Sequence, residues 1–218
     1  MLQIALILLL SYLVGSVPTG LVVGKVAGGM DIRKHGSGNP GVTNVFRLLG
    51  WKPAVVVAAV DIFKGYAAAR YLGSLAEPGS DLVPVLAGSA AVLGHTYTVF
   101  AGFRGGKGVA ALTGMVIALY PLAVPFCFLV FALAILTTGY VSVASIGAGI
   151  AFPVVVFGLP GLGFQTAGIA LKVFSVIIPL FVLFTHRTNI RRLVSGTENR
   201  FEKAMIFRRA RNEANDPG

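Results

Sequence analysis

The chain has 218 residues, of which 56% are hydrophobic and only 12% carry a charge, and its mean hydropathy is +0.83. A soluble domain of this length carries about twice that share of charged residues, so the composition excludes an ordinary water-soluble domain. The formal net charge of +10 fits nucleic-acid binding, a positive cytoplasmic face or capture of an anionic substrate. Nucleic acid is the weakest of these partners, because no soluble basic domain is present to bind it.

Long apolar segments predict transmembrane helices, since about twenty apolar residues cross the hydrocarbon core. Three such spans are predicted at residues 2–23, 53–72 and 82–101. From residue 109 to residue 185 the only charge is Lys172, and turn signals near residues 120–125, 137–140 and 158–163 divide this stretch into four more spans. Two spans there would leave long apolar loops unexplained, so seven spans are preferred to five.

The distribution of Lys and Arg predicts the orientation in the membrane. Basic residues gather in the loops over residues 31–52 and 102–108 and in the segment over residues 186–198, whereas the loop between the second and third spans carries only Glu77 and Asp81. The positive-inside rule places the basic segments in the cytoplasm, which requires an odd number of spans. We therefore expect an all-α integral membrane protein of about seven transmembrane helices, with the N-terminus outside and the C-terminus cytoplasmic. Residues 1–200 would form a single polytopic membrane domain, and residues 201–218 a basic cytoplasmic tail.

The first basic loop predicts an anion site. Its glycines match the letters of a dinucleotide-binding G-x-G-x-x-G motif, but a membrane helix precedes them where a strand is needed, so that interpretation is rejected. Glycines still let backbone N–H groups turn towards an anion, and the neighbouring hydroxyl, amide and guanidinium groups suit phosphate. The alternative is an ordinary glycine-rich turn, which the density of donors makes less favoured. The residues concerned are Gly36, Ser37, Gly38, Asn39, Gly41, Thr43, Asn44 and Arg47.

The third loop resembles half of a P-loop but fails its pattern. Ala101 stands where the first glycine is needed, and Gly108 replaces the Ser or Thr that would bind Mg²⁺. This argues against ATP. Lys107, preceded by Gly105 and Gly106 at the start of a predicted helix, can still bind a phosphate. The alternative is that the cations of this loop only satisfy the positive-inside rule, which leaves the glycines beside them unexplained.

The segment after the last span places two functional side chains on one helix face. His186 and Asn189 are three residues apart, and His186 could act as a base or donor near neutral pH. Taken alone, this segment favours the simpler explanation of a basic stretch bound to anionic lipid headgroups.

Three ionisable residues lie within predicted spans and are expected to be structural or supporting. Asp61 and Lys64 have the i, i+3 spacing of an ion pair, and His95 is expected to be a buried, hydrogen-bonded histidine. The small residues Gly20 and Gly24, with Gly28 after them, predict close packing instead of chemistry. No serine-nucleophile or zinc motif is found, so neither a metal nor a cofactor is expected.

Together, the three basic segments resemble the PlsY family of bacterial acyl-phosphate:glycerol-3-phosphate acyltransferases over about residues 15–198. The resemblance rests on the first loop, on the Gly94-His95 and Gly105–Ala110 stretch with Asp61 and Lys64 before it, and on the His186–Glu198 stretch. Val42 and Thr98 depart from the family pattern, where Ala and Pro are expected, and neither carries a proton or a charge.

The resemblance implies a seven-helix enzyme of the bacterial cell (inner) membrane with its site facing the cytoplasm. It would transfer a fatty acyl group from acyl phosphate to the 1-hydroxyl of sn-glycerol 3-phosphate, giving lysophosphatidic acid and phosphate in the first step of phospholipid synthesis. Membrane lipid surrounds such an enzyme, and a soluble enzyme would supply its acyl phosphate.

The resemblance also assigns roles to residues. It implies that the three basic segments together bind the two substrates, acyl phosphate and glycerol 3-phosphate. Catalytic roles are expected for Ser37, Lys107, His186 and Asn189. Substrate binding is expected for Gly36, Gly38, Asn39, Thr43, Arg47, Gly105 and Gly106. Supporting roles are expected for Asp61, Lys64 and His95.

Two other classes of function compete with the enzyme. A transporter or channel for a small organic phosphate would use the same basic loops as a funnel, but it predicts polar residues along several spans, and the last four are nearly all apolar. A lipid-binding scaffold would use the basic tail and would leave the glycine-rich loops without a role.

Overall fold

The computed structural model describes residues 1–76 and 79–201, and no strand occurs among them. Ten α-helices follow one another over these residues. They are α1 (Leu2–Ser16), α2 (Thr19–Gly28), α3 (Val42–Leu49), α4 (Trp51–Ala67), α5 (Leu82–Thr96), α6 (Val109–Leu119), α7 (Ala123–Thr138), α8 (Val141–Gly158), α9 (Ile169–Thr185) and α10 (Arg187–Val194). The prediction of an all-α protein is confirmed. Glu77 and the predicted tail beyond residue 201 lie outside the described residues.

Within residues 1–76 and 79–201, three helical stretches are long and apolar enough to cross a membrane. They are Leu2–Gly28, Leu82–Ala101 and Val141–Leu162. A fourth candidate is formed by α9 and α10 together, although these two helices are bent by 59°. The helix α6 has 11 residues, and at about 1.5 Å per residue it covers only about half of a hydrocarbon core of about 30 Å. Seven spans, and the orientation of the termini, therefore stay predictions.

The described helices form two compact units. The first comprises the described part of residues 1–121 with 168–171, and the second comprises residues 122–167 with 172–201. In the first unit, α1 packs against α5, and α4 packs against both α3 and α6. In the second, α7 packs against α8, and Gly149 of α8 faces Val182 of α9. The assignment of residues 1–200 to a single membrane domain stays a prediction.

Glycines set the helix crossings of the first unit. A Cβ atom added to Gly65 of α4 would lie 1.9 Å from a carbonyl oxygen of α6, and one added to Gly114 of α6 would lie 1.8 Å from a carbonyl oxygen of α4. The helices α1 and α5 meet in the same reciprocal way at Gly15 and Gly94, where the corresponding distances are both 2.1 Å. Backbones at this separation make extensive van der Waals contact. Such contact drives helix association in lipid, because moving an apolar side chain out of the lipid tails gives no hydrophobic gain.

A break interrupts the first predicted span, because α1 ends at Ser16 and α2 begins at Thr19. Pro18 has no N–H to continue the helical hydrogen bonds and restricts the residue before it. The carbonyl oxygens left open at the end of α1 accept hydrogen bonds from side chains of α4 and of the segment after α5. Lys64 donates to the carbonyl of Val17, and Thr98 donates to the carbonyl of Ser16.

The glycines of α2 pack against the first loop. A Cβ atom on Gly20 would lie 1.8 Å from the carbonyl oxygen of Pro40, and one on Gly24 would lie 2.5 Å from the side chain of Ile32. Further along, Gly28 faces a leucine of α3. The predicted packing role is confirmed, and the partner of these glycines is the loop that carries the predicted anion site.

We expect Gly114→Ala to lower the free energy of unfolding by about 1–3 kcal/mol, because the added methyl group forces α4 and α6 apart. Thermal unfolding of the detergent-solubilised protein measures the effect. The matched control is Gly158→Ala, since Gly158 has helical dihedral angles and no atom lies within 4 Å of a Cβ added there. Equal unfolding temperatures for the two variants would contradict the assigned crossing.

Candidate active site

Asn44 organises the first loop from within. Its side chain is 1% exposed, and its Oδ1 accepts a hydrogen bond from the N–H of Ser37 at 2.9 Å. Its Nδ2 donates to the carbonyl oxygens of Ile32 and His35, at 3.0 and 3.1 Å. Because both amide hydrogens are used inside the protein, Asn44 is not the anion donor that the sequence suggested. It is the internal support around which the loop turns.

The turn itself depends on glycine at two positions. Gly36 and Gly38 have φ of +60° and +73°, a region that side chains rarely adopt. A Cβ atom on Gly36 would also lie 2.3 Å from Oδ1 of Asn44. Next to them, Oδ1 of Asn39 accepts the N–H of Gly41 at 2.9 Å, which closes a local turn. Asn39, predicted to bind substrate, therefore shapes the loop in this structure.

The helix α3 follows this turn directly and presents its N-terminus beside it. The first N–H groups of a helix have no acceptor within the helix and carry a partial positive charge. Thr43 lies in this first turn, and Arg47 lies four residues later on the same face. Both side chains are half-buried, as is Ser37. This end of the loop is thus suited to bind an anion.

The third loop folds back onto the end of α5. The N–H of Gly105 donates to the carbonyl of Thr96 at 3.0 Å, and the N–H of Gly106 donates to the carbonyl of His95 at 3.1 Å. Gly108, with φ of +85°, then caps α6, which begins at Val109. Lys107 is held between these two fixed points at the start of a helix, as the sequence predicted.

Arg33 connects the first loop with the third. Its guanidinium lies 2.9 Å from the carboxylate of Asp31 and donates through Nη1 to the carbonyl of Ala101 at 3.2 Å. The hydrogen bonds from Arg33 lower the pKa of Asp31 to about 2. From the sequence, Arg33 is expected only as a cytoplasmic charge. Its hydrogen bond to Ala101, 68 residues away along the chain, has no local signal.

Asp61, Lys64 and His95 form a buried polar cluster beneath the third loop. Lys64 Nζ lies 2.7 Å from Asp61 Oδ1, and His95 Nδ1 lies 3.7 Å from the same oxygen. The predicted ion pair is confirmed. A cavity in the first unit is lined by Asp61 and His95 together with Pro18, Pro40, Arg104 and Gly106. The helix break, the first loop and the third loop therefore meet around one space.

In the second unit, His186 forms the junction between α9 and α10. The residue is 2% exposed, and its Nδ1 lies 2.8 Å from the carbonyl oxygen of Val182. A carbonyl only accepts, so Nδ1 carries a hydrogen, and in the neutral ring the lone pair is on Nε2. This is the tautomer in which Nε2 can accept a proton.

Glu198 fixes α10 within the second unit. Its carboxylate accepts hydrogen bonds from Asn189 at 2.5 Å, from Arg192 at 2.7 Å and from Ser142 of α8 at 3.0 Å. Burial alone would raise the pKa of Glu198, but these hydrogen bonds outweigh burial and lower the pKa below its ordinary value. Glu198 was absent from the predicted site residues, although it belongs to the segment that carries the resemblance.

Of the residues predicted to bind substrate or support the site, Gly105, Gly106, Asp61 and His95 line the cavity of the first unit, and the first loop contributes Pro40 to it. His186 and Asn189 belong to the second unit, and the prediction that all three segments share their ligands stays a prediction. Among residues 1–76 and 79–201, no three His, Cys, Asp or Glu side chains gather as metal ligands would.

Known proteins share both the sequence and the fold of this chain. The profile of the family described as glycerol-3-phosphate acyltransferase matches residues 5–196. The chain belongs to this family. A glycerol-3-phosphate acyltransferase of Pelodictyon phaeoclathratiforme is 42% identical over 228 aligned positions, which cover 92% of this chain and 97% of the relative. One from Chlorobaculum tepidum is 42% identical over 225 positions, with the same coverage of 92% and 97%.

Two crystal structures of PlsY, an integral membrane glycerol 3-phosphate acyltransferase, have the same fold. The glycerol 3-phosphate form superposes with a TM-score of 0.82 at 38% identity and covers 91% of this chain and 95% of that one. The lysophosphatidic acid form gives a TM-score of 0.80 at the same identity of 38%. The predicted PlsY family, the membrane location and the acyltransferase class are confirmed.

We expect the contribution of Glu198 to the stability of this protein to vary with pH. Its lowered pKa means that the stabilisation is complete above the ordinary value of 4.5 and is lost as the pH falls through the lower folded value. Near neutral pH, Glu198→Gln should reduce the free energy of unfolding by about 1.5–3 kcal/mol, the range for hydrogen bonds to a charged group.

Unfolding temperatures of the wild type and the variant, measured from neutral to acidic pH, test this expectation. The difference should shrink as the wild-type carboxylate becomes protonated. A difference that stays constant into the acidic range would show that the charge of Glu198 does not stabilise α10.

Proposed function

We propose that this protein transfers a fatty acyl group from acyl phosphate to the 1-hydroxyl of sn-glycerol 3-phosphate. The products are lysophosphatidic acid and inorganic phosphate, and the step begins phospholipid synthesis. The observation that carries the proposal is the PlsY neighbour, which covers 91% of this chain and is known in a glycerol 3-phosphate form and a lysophosphatidic acid form. Those ligands are the acceptor and the acylated product of such a transfer.

The reaction needs little covalent help from the protein. The hydroxyl oxygen attacks the acyl carbonyl carbon, the new ester bond forms, and the bond between that carbon and the phosphate oxygen breaks. Phosphate leaves with the bonding electrons, and the hydroxyl proton passes to a base. Because acyl phosphate is a mixed anhydride, it is already activated. Positioning of the two substrates and stabilisation of the phosphate charge can supply most of the rate.

The first unit supplies the groups that bind phosphate. We assign the acyl-phosphate phosphate to Ser37, Thr43 and the first N–H groups of α3, which the glycine turn at Gly36 and Gly38 presents on one side. Arg47 and Lys107 bind glycerol 3-phosphate, Arg47 through its planar fork and Lys107 as a compact charge. Both cations are half-buried.

The second unit supplies the proposed base. His186 orients or deprotonates the attacking hydroxyl through Nε2, since Nδ1 is engaged with the carbonyl of Val182. Asn189 contributes its carboxamide oxygen, an acceptor that suits a glycerol hydroxyl, while its Nδ2 donates to Glu198. A phosphate oxygen of a substrate is the alternative base.

We also propose the topology that this chemistry requires. Seven spans would place the basic loops on the cytoplasmic side of the inner membrane, with the N-terminus outside, because Lys and Arg concentrate in those loops. A soluble enzyme would supply acyl phosphate from the cytoplasm, and the acyl chain would lie between helices in contact with lipid.

Purified protein supplied with labelled glycerol 3-phosphate and acyl phosphate in detergent should form lysophosphatidic acid. Lys107→Ala should reduce this rate by about a hundredfold or more while the protein stays folded, because a charge that stabilises the leaving or bound phosphate is lost. The matched control is Lys52→Ala, which removes an exposed lysine whose Nζ lies 5.8 Å from the centre of the Trp51 ring.

Full activity of Lys107→Ala would remove this lysine from the mechanism. Uptake of glycerol 3-phosphate into proteoliposomes, with no lysophosphatidic acid formed when acyl phosphate is also supplied, would favour the transporter over the enzyme.

The donor is expected to be acyl phosphate alone. Acyl-CoA and acyl carrier protein present a thioester at the reacting carbon, so the groups around Ser37 would have no phosphate leaving group to bind. Rates with the three donors, each carrying the same acyl chain, measure this preference directly. Comparable rates with acyl-CoA would overturn the assignment of the first loop to the leaving phosphate.

A further inference from the structure

We infer that Asp61, Lys64 and His95 are positioning residues that hold the Gly105–Gly106 turn and thereby fix the place of Lys107. The inference deepens the proposed function and rests on it for the role of Lys107. It gives a role to this buried polar cluster, which contacts the third loop within the first unit through His95.

The cluster is anchored at the break between α1 and α2. Asp61 and Lys64 are 1% and 3% exposed, and they form an ion pair at 2.7 Å. Lys64 also donates to the carbonyl of Val17. A buried pair with its hydrogen bonds satisfied has a fixed geometry, because moving either partner would leave a charge uncompensated. Asp61 is therefore held in one place by α1 as well as by its own helix.

His95 transmits this fixed position to the third loop. Its Nδ1 faces Asp61 Oδ1 at 3.7 Å, and the opposite side of the ring faces the loop. A Cβ atom on Gly106 would lie 2.2 Å from Nε2 of His95, so only glycine allows the ring and the loop to meet at this distance. The backbone of the same residue contributes too, since the carbonyl of His95 accepts the N–H of Gly106 at 3.1 Å.

Two contacts therefore locate Lys107. On one side it follows Gly106, which contacts His95, and on the other side Gly108 caps α6, which begins at Val109. The body of α6 is itself fixed against α4 at Gly65 and Gly114. Thus α4 holds α6 through the glycine crossing and the preceding loop through Asp61 and His95. Loss of the second contact should displace Lys107 without separating the helices.

The decisive experiment is a double-mutant cycle on His95 and Gly106, read as the KM for glycerol 3-phosphate. His95→Ala should raise KM about tenfold, because the loop loses its support, and Gly106→Ala should raise it at least as much, because the methyl group collides with the ring. The double variant should be no worse than His95→Ala, since the ring with which the methyl collides is gone. Such non-additivity is the signature of direct contact.

A second readout does not depend on activity. Trypsin cleaves after Arg104 and Lys107, and we expect His95→Ala to raise the cleavage rate at these two bonds about tenfold, as followed by the masses of the fragments. The control is Ser89→Ala on the same helix α5, where the hydroxyl donates to the carbonyl of Val85 at 2.7 Å, one turn back along its own helix. This control should leave both KM and the cleavage rate unchanged.

A merely structural role for His95 would lower the unfolding temperature but leave KM and loop cleavage of the folded protein unchanged, and this result would overturn the inference. Additive effects in the cycle would overturn it as well. If His95→Ala does not fold, His95→Asn replaces it, because Asn keeps a nitrogen near Asp61 while removing the ring from Gly106. An inactive wild type would refute the proposed function instead, and the trypsin measurement would still test the loop.

Discussion

A helix that breaks within a membrane leaves polar backbone groups that lipid cannot satisfy, and this constraint governs the first unit. The break at Pro18 opens the carbonyls of Ser16 and Val17, and side chains from α4 and from the segment after α5 donate to them. One of these donors is the charged amine of Lys64, which requires a buried counter-charge in Asp61. The need to terminate one helix therefore explains why an ion pair is buried where it would otherwise be unfavourable.

The glycines of this chain have two different physical functions. At the crossings of α1 with α5 and of α4 with α6, they remove side-chain volume so that backbones touch. In the first loop, Gly36 and Gly38 adopt positive φ and let the chain curl around Asn44. The first kind fixes the helices, and the second kind shapes the surface that they carry. Both kinds would be damaged by the smallest possible side chain, although for different reasons.

Hydropathy and turn residues were enough to locate most helices. The spans predicted at residues 53–72 and 82–101 correspond to α4 with its π-helical extension and to α5 with the 3₁₀ turn after it. The expected turns after residue 109 fall at the ends of α6, α7 and α8. The break at Pro18 was missed, because apolar residues continue on both sides and hydropathy does not register the missing N–H.

The residues that organise the site were harder to predict than those proposed to bind. Asn44, Arg33 and Glu198 all make their decisive hydrogen bonds inside the protein, and a local motif does not reveal which polar groups are already used. Arg33 reaches Ala101 across 68 positions, and Glu198 reaches Ser142 across 56. Such distances carry no periodic signal in one sequence. The resemblance to a family pointed to the segment that contains Glu198. Only the structure shows which side chains donate hydrogen bonds to its carboxylate.

The charged residues of the first unit fall into a fully buried group and a half-buried group, and the two groups differ in what they can contribute to anion binding. Asp61 and Lys64 are buried and neutralise each other, so together they add almost no net attraction for phosphate. The proposed attraction for phosphate therefore rests on Arg47 and Lys107, which are both half-buried. A half-buried cation acts in a lower effective dielectric than an exposed one and is therefore felt more strongly by a nearby phosphate. The fully buried charges thus fix positions in the first unit, whereas the proposed function assigns phosphate binding to the half-buried cations.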